Sequence, residues 1–182
     1  AGRAHVIREA LCPRPPVVPR AATRRRISRV GGAGDAEGTR MKAEAAAAMA
    51  GRAKAGQKPW ASRPLGERIA LVRAGVARLS EMKDTIVTEL AWQMGRPTRF
   101  GGEFGGVNAR TDYMSDIAGK TLAPVVIEDS DTFRRSIARE ALGVVFIVAP
   151  WNYPYLTTIN TLVPALIAGN TVILKHASQT ML

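Results

Sequence analysis

The stretch GVVFIVAPWNYPYLTTINTLVPALIAGNTVILK, residues 143–175, constrains this chain more than any other, because its apolar period changes twice. After Gly143, Val144–Val148 is a continuous apolar and largely β-branched run, the pattern of a strand buried on both faces of a parallel sheet. Leu156, Ile159, Val163, Leu166 and Ile167 then recur at helical spacing. Pro164 lies inside that stripe and predicts a kink or a helix in two pieces. Ala168-Gly169-Asn170 supplies the glycine that ends a helix, and Thr171–Lys175 reads as a second short strand. Strand, helix and strand within about thirty residues make a βαβ unit, which sets the class as α/β with an open parallel sheet. Ligands of such sheets sit at the carboxyl ends of the strands. Asn152 follows the first strand and Lys175 ends the second. No G-x-G-x-x-G follows Val144–Val148, so a nucleotide here needs another grip.

Upstream the pattern is helical. The Ala-rich stretch from Met41 predicts a helix ending near Gly56. KPWASRPLGER, residues 58–68, is a break, with Pro64 in the first turn of the next helix. Leu65, Ile69, Val72, Val76 and Leu79 form one apolar face, continued by Met82, Ile86, Leu90 and Met94 until Gly95 and Pro97 stop it. A third helix is expected from about Glu103 to Ala118. Alternation of Phe133, Arg135, Ile137 and Arg139 with their neighbours predicts a strand, placed in a hairpin at about 132–142.

The net charge of +11 invites a nucleic-acid reading, yet residues 1–40 carry +6 of it on nine Arg and three acids. That segment clusters Pro, Arg and Gly without sustained periodicity, and reads as a disordered or spurious basic extension. It is expected to be translated upstream DNA with Met41 nearer the true start, an organellar transit segment, or a basic arm. The single cysteine, Cys12, excludes an internal disulfide framework and a cysteine-cluster metal site, and no metal site is expected. No apolar run reaches the ~18–20 residues of a membrane span, so a soluble, cytoplasmic protein is expected, with an organellar matrix as the alternative if residues 1–40 are a transit segment.

VAPWNYP, residues 148–154, followed by PALIAGNTVILK, residues 164–175, resembles the NAD(P)-dependent aldehyde dehydrogenase superfamily, with its Pro-Trp-Asn turn and its Gly-Asn, strand, Lys element at this separation. QMGRP, residues 93–97, is similar to the family's Glu-Thr-Gly-Lys-Pro element, and YMSDIAGKTLAP, residues 113–124, fits the same register. The resemblance covers about residues 43–182 and makes 41–182 a partial cofactor-binding domain. It implies that Asn152 donates a hydrogen bond to the oxyanion of a thiohemiacetal. From the residues alone, a cap for the next helix is the favoured reading of Asn152, and the resemblance reverses that order. The resemblance also implies that Val148, Ala149, Pro150 and Trp151 line the cofactor cleft and that Lys175 binds the adenosine ribose. Ser178 stands where many NAD-preferring relatives carry Glu. A hydroxyl there does not repel a 2′-phosphate, so NADP is expected to serve alongside NAD.

The implied cysteine nucleophile and glutamate base lie, in the family, downstream of the lysine and have no counterpart in these residues. The whole protein is therefore expected to oxidise an aldehyde to a carboxylic acid with NAD(P)+, and these 182 residues alone to be inactive and poor at folding alone. The resemblance further implies a homo-oligomer, with the hairpin as part of the subunit contact. Competing readings are a basic nucleic-acid-associated helical protein, an inactive NAD(P)-binding module, and a CoA-dependent acylating relative.

Overall fold

The computed structural model describes residues 43–100 and 102–180. The basic segment 1–40 and its alternative origins lie outside the described residues. Helix α1 (Ala43–Ala61) runs on through Gly56 and Pro59, past the expected stop. Its continuation is a tertiary effect. The Trp60 indole donates to the Leu166 carbonyl at 2.8 Å, the Gln57 amide to Gly169 at 3.1 Å, and the Thr171 hydroxyl to Ala53 at 2.9 Å. At about 1 kcal/mol net each, the Trp60 and Gln57 bonds beyond Gly56 offset the ~1 kcal/mol that this glycine costs inside a helix.

The long apolar face expected over 65–94 is divided. Helix α2 (Leu65–Glu81) and helix α3 (Lys83–Met94) meet at Met82, whose φ of −88° and ψ of 4° break the run. The break lets each half reach a different core. Val72 and Val76 of α2 join one cluster, whereas Ile86 and Leu90 of α3 join Phe104 in another. A 3-10 turn (Thr98–Phe100) leads to helix α4 (Glu103–Leu122), one turn longer than expected. On α4, Val107 and Ala118 face the first cluster. Thr111 and Ser115 are buried on the same side, and their hydroxyls donate to the carbonyls four residues back.

The hairpin consists of β1 (Val125–Asp129) and β2 (Arg134–Ile137), paired antiparallel. It therefore lies earlier than 132–142, and residues 138–142 form no strand. The missed strand is VVIED, which follows α4 after only Ala123 and Pro124, too close to the helix for a turn signal to announce it. Val148's strand, β3 (Val144–Val148), pairs in parallel with β4 (Thr171–Lys175), and helix α5 (Pro154–Ile167) connects them. Both strand boundaries are those the sequence predicts. Helix α5 is continuous through Pro164, not in two pieces, because the proline sits in its last turns where few bonds remain to lose.

Burial on both faces of β3 is not found among the described residues. Ile147 is buried, but Phe146 and Val148 are each 62% exposed, because the helices cover one face only. That covered side carries the main core, in which Ile159, Val163 and Ile167 of α5 pack on α2 and α4. Burying each such side chain contributes roughly 1.5–3 kcal/mol.

The turns around the unit are set by two glycines and an asparagine. Gly143 takes φ +117° and starts β3. Gly169 takes φ +91° after α5, and a Cβ there would lie 3.3 Å from that of Ala61. The Asn170 side chain accepts the Gly143 amide at 2.9 Å and donates to the Ala165 carbonyl at 3.0 Å.

Candidate functional site at the strand ends

Pairing in β3 and β4 stops level. Val148 is opposite Lys175, and the Ala149 amide donates to the Lys175 carbonyl at 2.9 Å. Past that point the chain turns into α5 through Pro150, Trp151, Asn152 and Tyr153. Ala149 is buried beneath the turn and Pro150 half-buried, while Val148, Trp151, Asn152 and Tyr153 are exposed. The strand end and turn thus place Val148, Ala149, Pro150, Trp151, Asn152 and Lys175 at one edge of the unit.

Asn152 does not cap α5. The N-cap residue is Tyr153, and no side chain of its own closes the cap. The Asn152 amide makes no hydrogen bond among the described residues, so its donors are free for an outside acceptor. The cap comes instead from a distant part of the chain. The Glu103 carboxylate accepts from the Tyr155 amide at 3.0 Å and the Leu156 amide at 2.9 Å. These are second and third helical positions, whose N–H groups have no partner inside the helix, and the negative charge also complements the helix dipole.

Glu103 is fully buried, and its other oxygen accepts from the Arg96 guanidinium at 2.9 Å; Arg96 is itself 14% exposed. The same guanidinium donates to the Asn152 carbonyl and lies 4.4 Å from the centre of the Tyr153 ring. A buried carboxylate is costly unless paired and hydrogen-bonded. Here one carboxylate takes three bonds, and the arginine that pairs with it also holds the turn. Burial, and then the Glu103 charge, push the Tyr155 hydroxyl up to about 12. Its ring packs on Phe104 with centroids 5.6 Å apart.

Lys175 is exposed, and among the described residues its ammonium donates only to the neighbouring His176 carbonyl at 3.3 Å. Ser178 is exposed in a turn closed by the Thr180 amide on the Ala177 carbonyl at 3.1 Å. His176 has its Nδ1 3.2 Å from the Ala177 carbonyl. An open apolar groove of about 840 Å³ lies elsewhere, between α1, α2, α5 and β4, and none of the strand-end residues named above lines it. No group of three or more metal-ligating side chains occurs among the described residues, and no described helix is long and apolar enough to cross a membrane.

Sequence reasoning gave Arg96 and Glu103 no part in the site. A signal for the second was present. Glu103, Val107, Thr111 and Ser115 share one stripe at steps of four, and a carboxylate on a core-facing stripe requires a buried partner. Nothing local identifies that partner, since Glu103 and Tyr155 are 52 residues apart.

Comparison with known proteins places this arrangement. The profile described as the aldehyde dehydrogenase family matches residues 21–182, starting well before the resemblance visible by eye at about residue 43. A Mycobacterium bovis protein provisionally named succinate-semialdehyde dehydrogenase (NADP(+)) 2 is 33% identical over 147 residues, covering 79% of this chain and 28% of the relative. The crystal structure of a succinic semialdehyde dehydrogenase from Streptococcus pyogenes, in complex with NADP+, aligns with a TM-score of 0.69 at 28% identity, over 78% of this chain and 31% of that one. An NAD-dependent benzaldehyde dehydrogenase from Corynebacterium glutamicum aligns with a TM-score of 0.63 at 29% identity, over 70% and 28%. The chain thus spans about 28% of the length of the curated relative it matches.

Proposed function

The chain belongs to the aldehyde dehydrogenase family, and on that premise we propose that the whole protein oxidises an aldehyde to a carboxylic acid with NAD or NADP. The observation that carries this reading is the Asn152 amide. It stands exposed at the carboxyl end of a parallel strand, without a hydrogen bond among the described residues, on a turn tied down by Arg96. A neutral donor fixed in that way stabilises negative charge as it develops on a carbonyl oxygen, without reorganising first.

The residues around it suit a dinucleotide. Among the described residues the Lys175 ammonium has one acceptor, its neighbour's carbonyl, for three donors, which leaves it able to bind ribose hydroxyls. Trp151 and Val148 offer exposed apolar surface on the same edge, over buried Ala149 and half-buried Pro150. Ser178 places a hydroxyl, not a carboxylate, beyond Lys175, which supports acceptance of NADP as well as NAD. When bound, the nicotinamide accepts the hydride that the aldehyde carbon gives up. The family resemblance implies a cysteine nucleophile and a glutamate that assists hydrolysis; in this reading the present residues orient the substrate oxygen and hold the cofactor.

The hairpin serves assembly of a homo-oligomer. Supporting this, its strands are exposed at every position but Glu128, and Ile127 and Ile137 on the strands and Phe133 in the turn are each about 60% exposed. An uncovered apolar ribbon of that kind recruits a partner strand or face.

The test is Asn152→Ala in the whole protein. Loss of the amide is expected to lower kcat by roughly 10²–10³, with little change in the cofactor KM. An unchanged kcat overturns the reading.

A further inference from the structure

We propose that Arg96 and Glu103 are positioning residues that aim the Asn152 amide before substrate arrives, an inference that rests on the reading of Asn152 given above. The turn has little to hold it from within. Pro150 has no N–H, and the amides of Trp151, Asn152 and Tyr153 make no backbone hydrogen bond among the described residues. Of the turn's carbonyls, that of Tyr153 takes the Thr157 amide as α5 begins, and that of Asn152 takes the Arg96 guanidinium. Arg96 is thus the tether on the peptide that carries the catalytic side chain. It also stacks 4.4 Å from the Tyr153 ring centre, which restrains the next residue.

Arg96 is held in turn by Glu103 at 2.9 Å, and Glu103 is held by the first turn of α5 through the Tyr155 and Leu156 amides. The result is a closed ring of contacts: Asn152 carbonyl, Arg96, Glu103, α5 and back through Tyr153 to Asn152. Each member is fixed by two others. Guanidinium suits the place because its planar fork reaches a carboxylate and a carbonyl at once, which an ammonium does with less geometric control. Holding a donor within a fraction of an ångström matters, since a misplacement of about 1 Å costs up to ~10² in rate.

A double-substitution cycle in the whole enzyme tests this. Glu103→Gln and Arg96→Gln are each made alone and with Asn152→Ala, and kcat per folded active site and both KM values are measured. Glu103→Gln or Arg96→Gln is expected to lower kcat about 10- to 100-fold, leave the cofactor KM unchanged, and cost less than about twofold more once Asn152 is already Ala. A factor in kcat that persists in full in the Asn152→Ala enzyme shows that the pair supports the fold without acting through the amide, and overturns the inference. So does an unchanged kcat for the single variants. If the Glu103 variant does not fold, Arg96→Lys carries the same cycle, because it retains a cation for Glu103 while losing the fork. An Asn152→Ala enzyme with normal kcat removes the oxyanion reading and this inference together, whereas a slow Asn152→Ala enzyme without coupling removes only this one.

Discussion

The Asn170 side-chain oxygen accepts the Gly143 amide proton at 2.9 Å, joining the end of α5 to the start of β3 across 27 residues. Its amide nitrogen meanwhile donates to Ala165 inside the last turn of that helix, so one side chain fixes both where α5 ends and where β3 begins. The Thr171 amide adds a bond to the Gly143 carbonyl at 2.9 Å. From that anchor the two strands run level to Val148 and Lys175, which places the residues of the candidate site side by side.

Asn170 is 5% exposed, so its loss strands the Gly143 donor in a dry environment. Asn170→Ala is expected to destabilise the whole protein by about 1–3 kcal/mol, seen as a lower urea midpoint. Asn170→Asp keeps the acceptor for Gly143 but loses the donor to Ala165 and should also destabilise. A midpoint unchanged in both removes Asn170 from the set of residues that fix the register.

Gly169 is strained for any other residue on two counts, its φ of +91° and the closeness of Ala61. Gly169→Ala is expected to cost at least ~1–2 kcal/mol, with the loss partly relieved when Ala61→Gly is combined with it. Thermal melts of the single and double variants check this. Relief by Ala61→Gly would show that the contact with α1, and not the backbone angle alone, restricts the position.

Lys175→Met should raise the KM for NAD(P) without lowering kcat at saturation, because the proposed reading assigns the ammonium to the ribose, away from the reacting carbon. Ser178→Glu should shift preference toward NAD by at least tenfold, since a carboxylate beside a 2′-phosphate repels it. Steady-state kinetics with both cofactors measure the ratio. An unaltered ratio means that Ser178 does not face the ribose.

Tyr155 gives an alkaline signature. Its hydroxyl is raised from 10.0 to about 12 by burial and by the Glu103 charge. Between about pH 10 and pH 12 the unfolded chain releases this proton while the folded chain keeps it. The folded state then binds more protons, so stability is at its full value below that window and falls as pH rises through it. Tyr155→Phe should flatten the decline between pH 10 and pH 12 in urea titrations. Glu103→Gln removes one of the two causes and should lower the Tyr155 value, measured by the absorbance of the phenolate.

The local patterns of the chain proved legible where neighbours in sequence carry the information. The apolar run at Val144–Val148, the helical stripe after Leu156, the glycine at 169 and the strand at Thr171–Lys175 each follow from side-chain period and backbone freedom over a few residues. The stop near Gly56 failed for the opposite reason, since Trp60 is held by Leu166 of α5 and Gln57 by Gly169 just beyond it, more than a hundred positions away. The broken stripe at Met82 likewise reflects two separate cores, which no single helical period can encode.

By itself, the sequence determined a strand, helix and strand whose ends carry an asparagine and a lysine, because periodicity and turn chemistry act between near neighbours. Only the tertiary structure decided that a carboxylate at residue 103 would cap the helix after the asparagine and that an arginine at residue 96 would grip the asparagine's own peptide. Hydrogen bonds between residues more than fifty apart exist only once helices have packed, and apolar burial, which drives that packing, does not specify partners from composition alone.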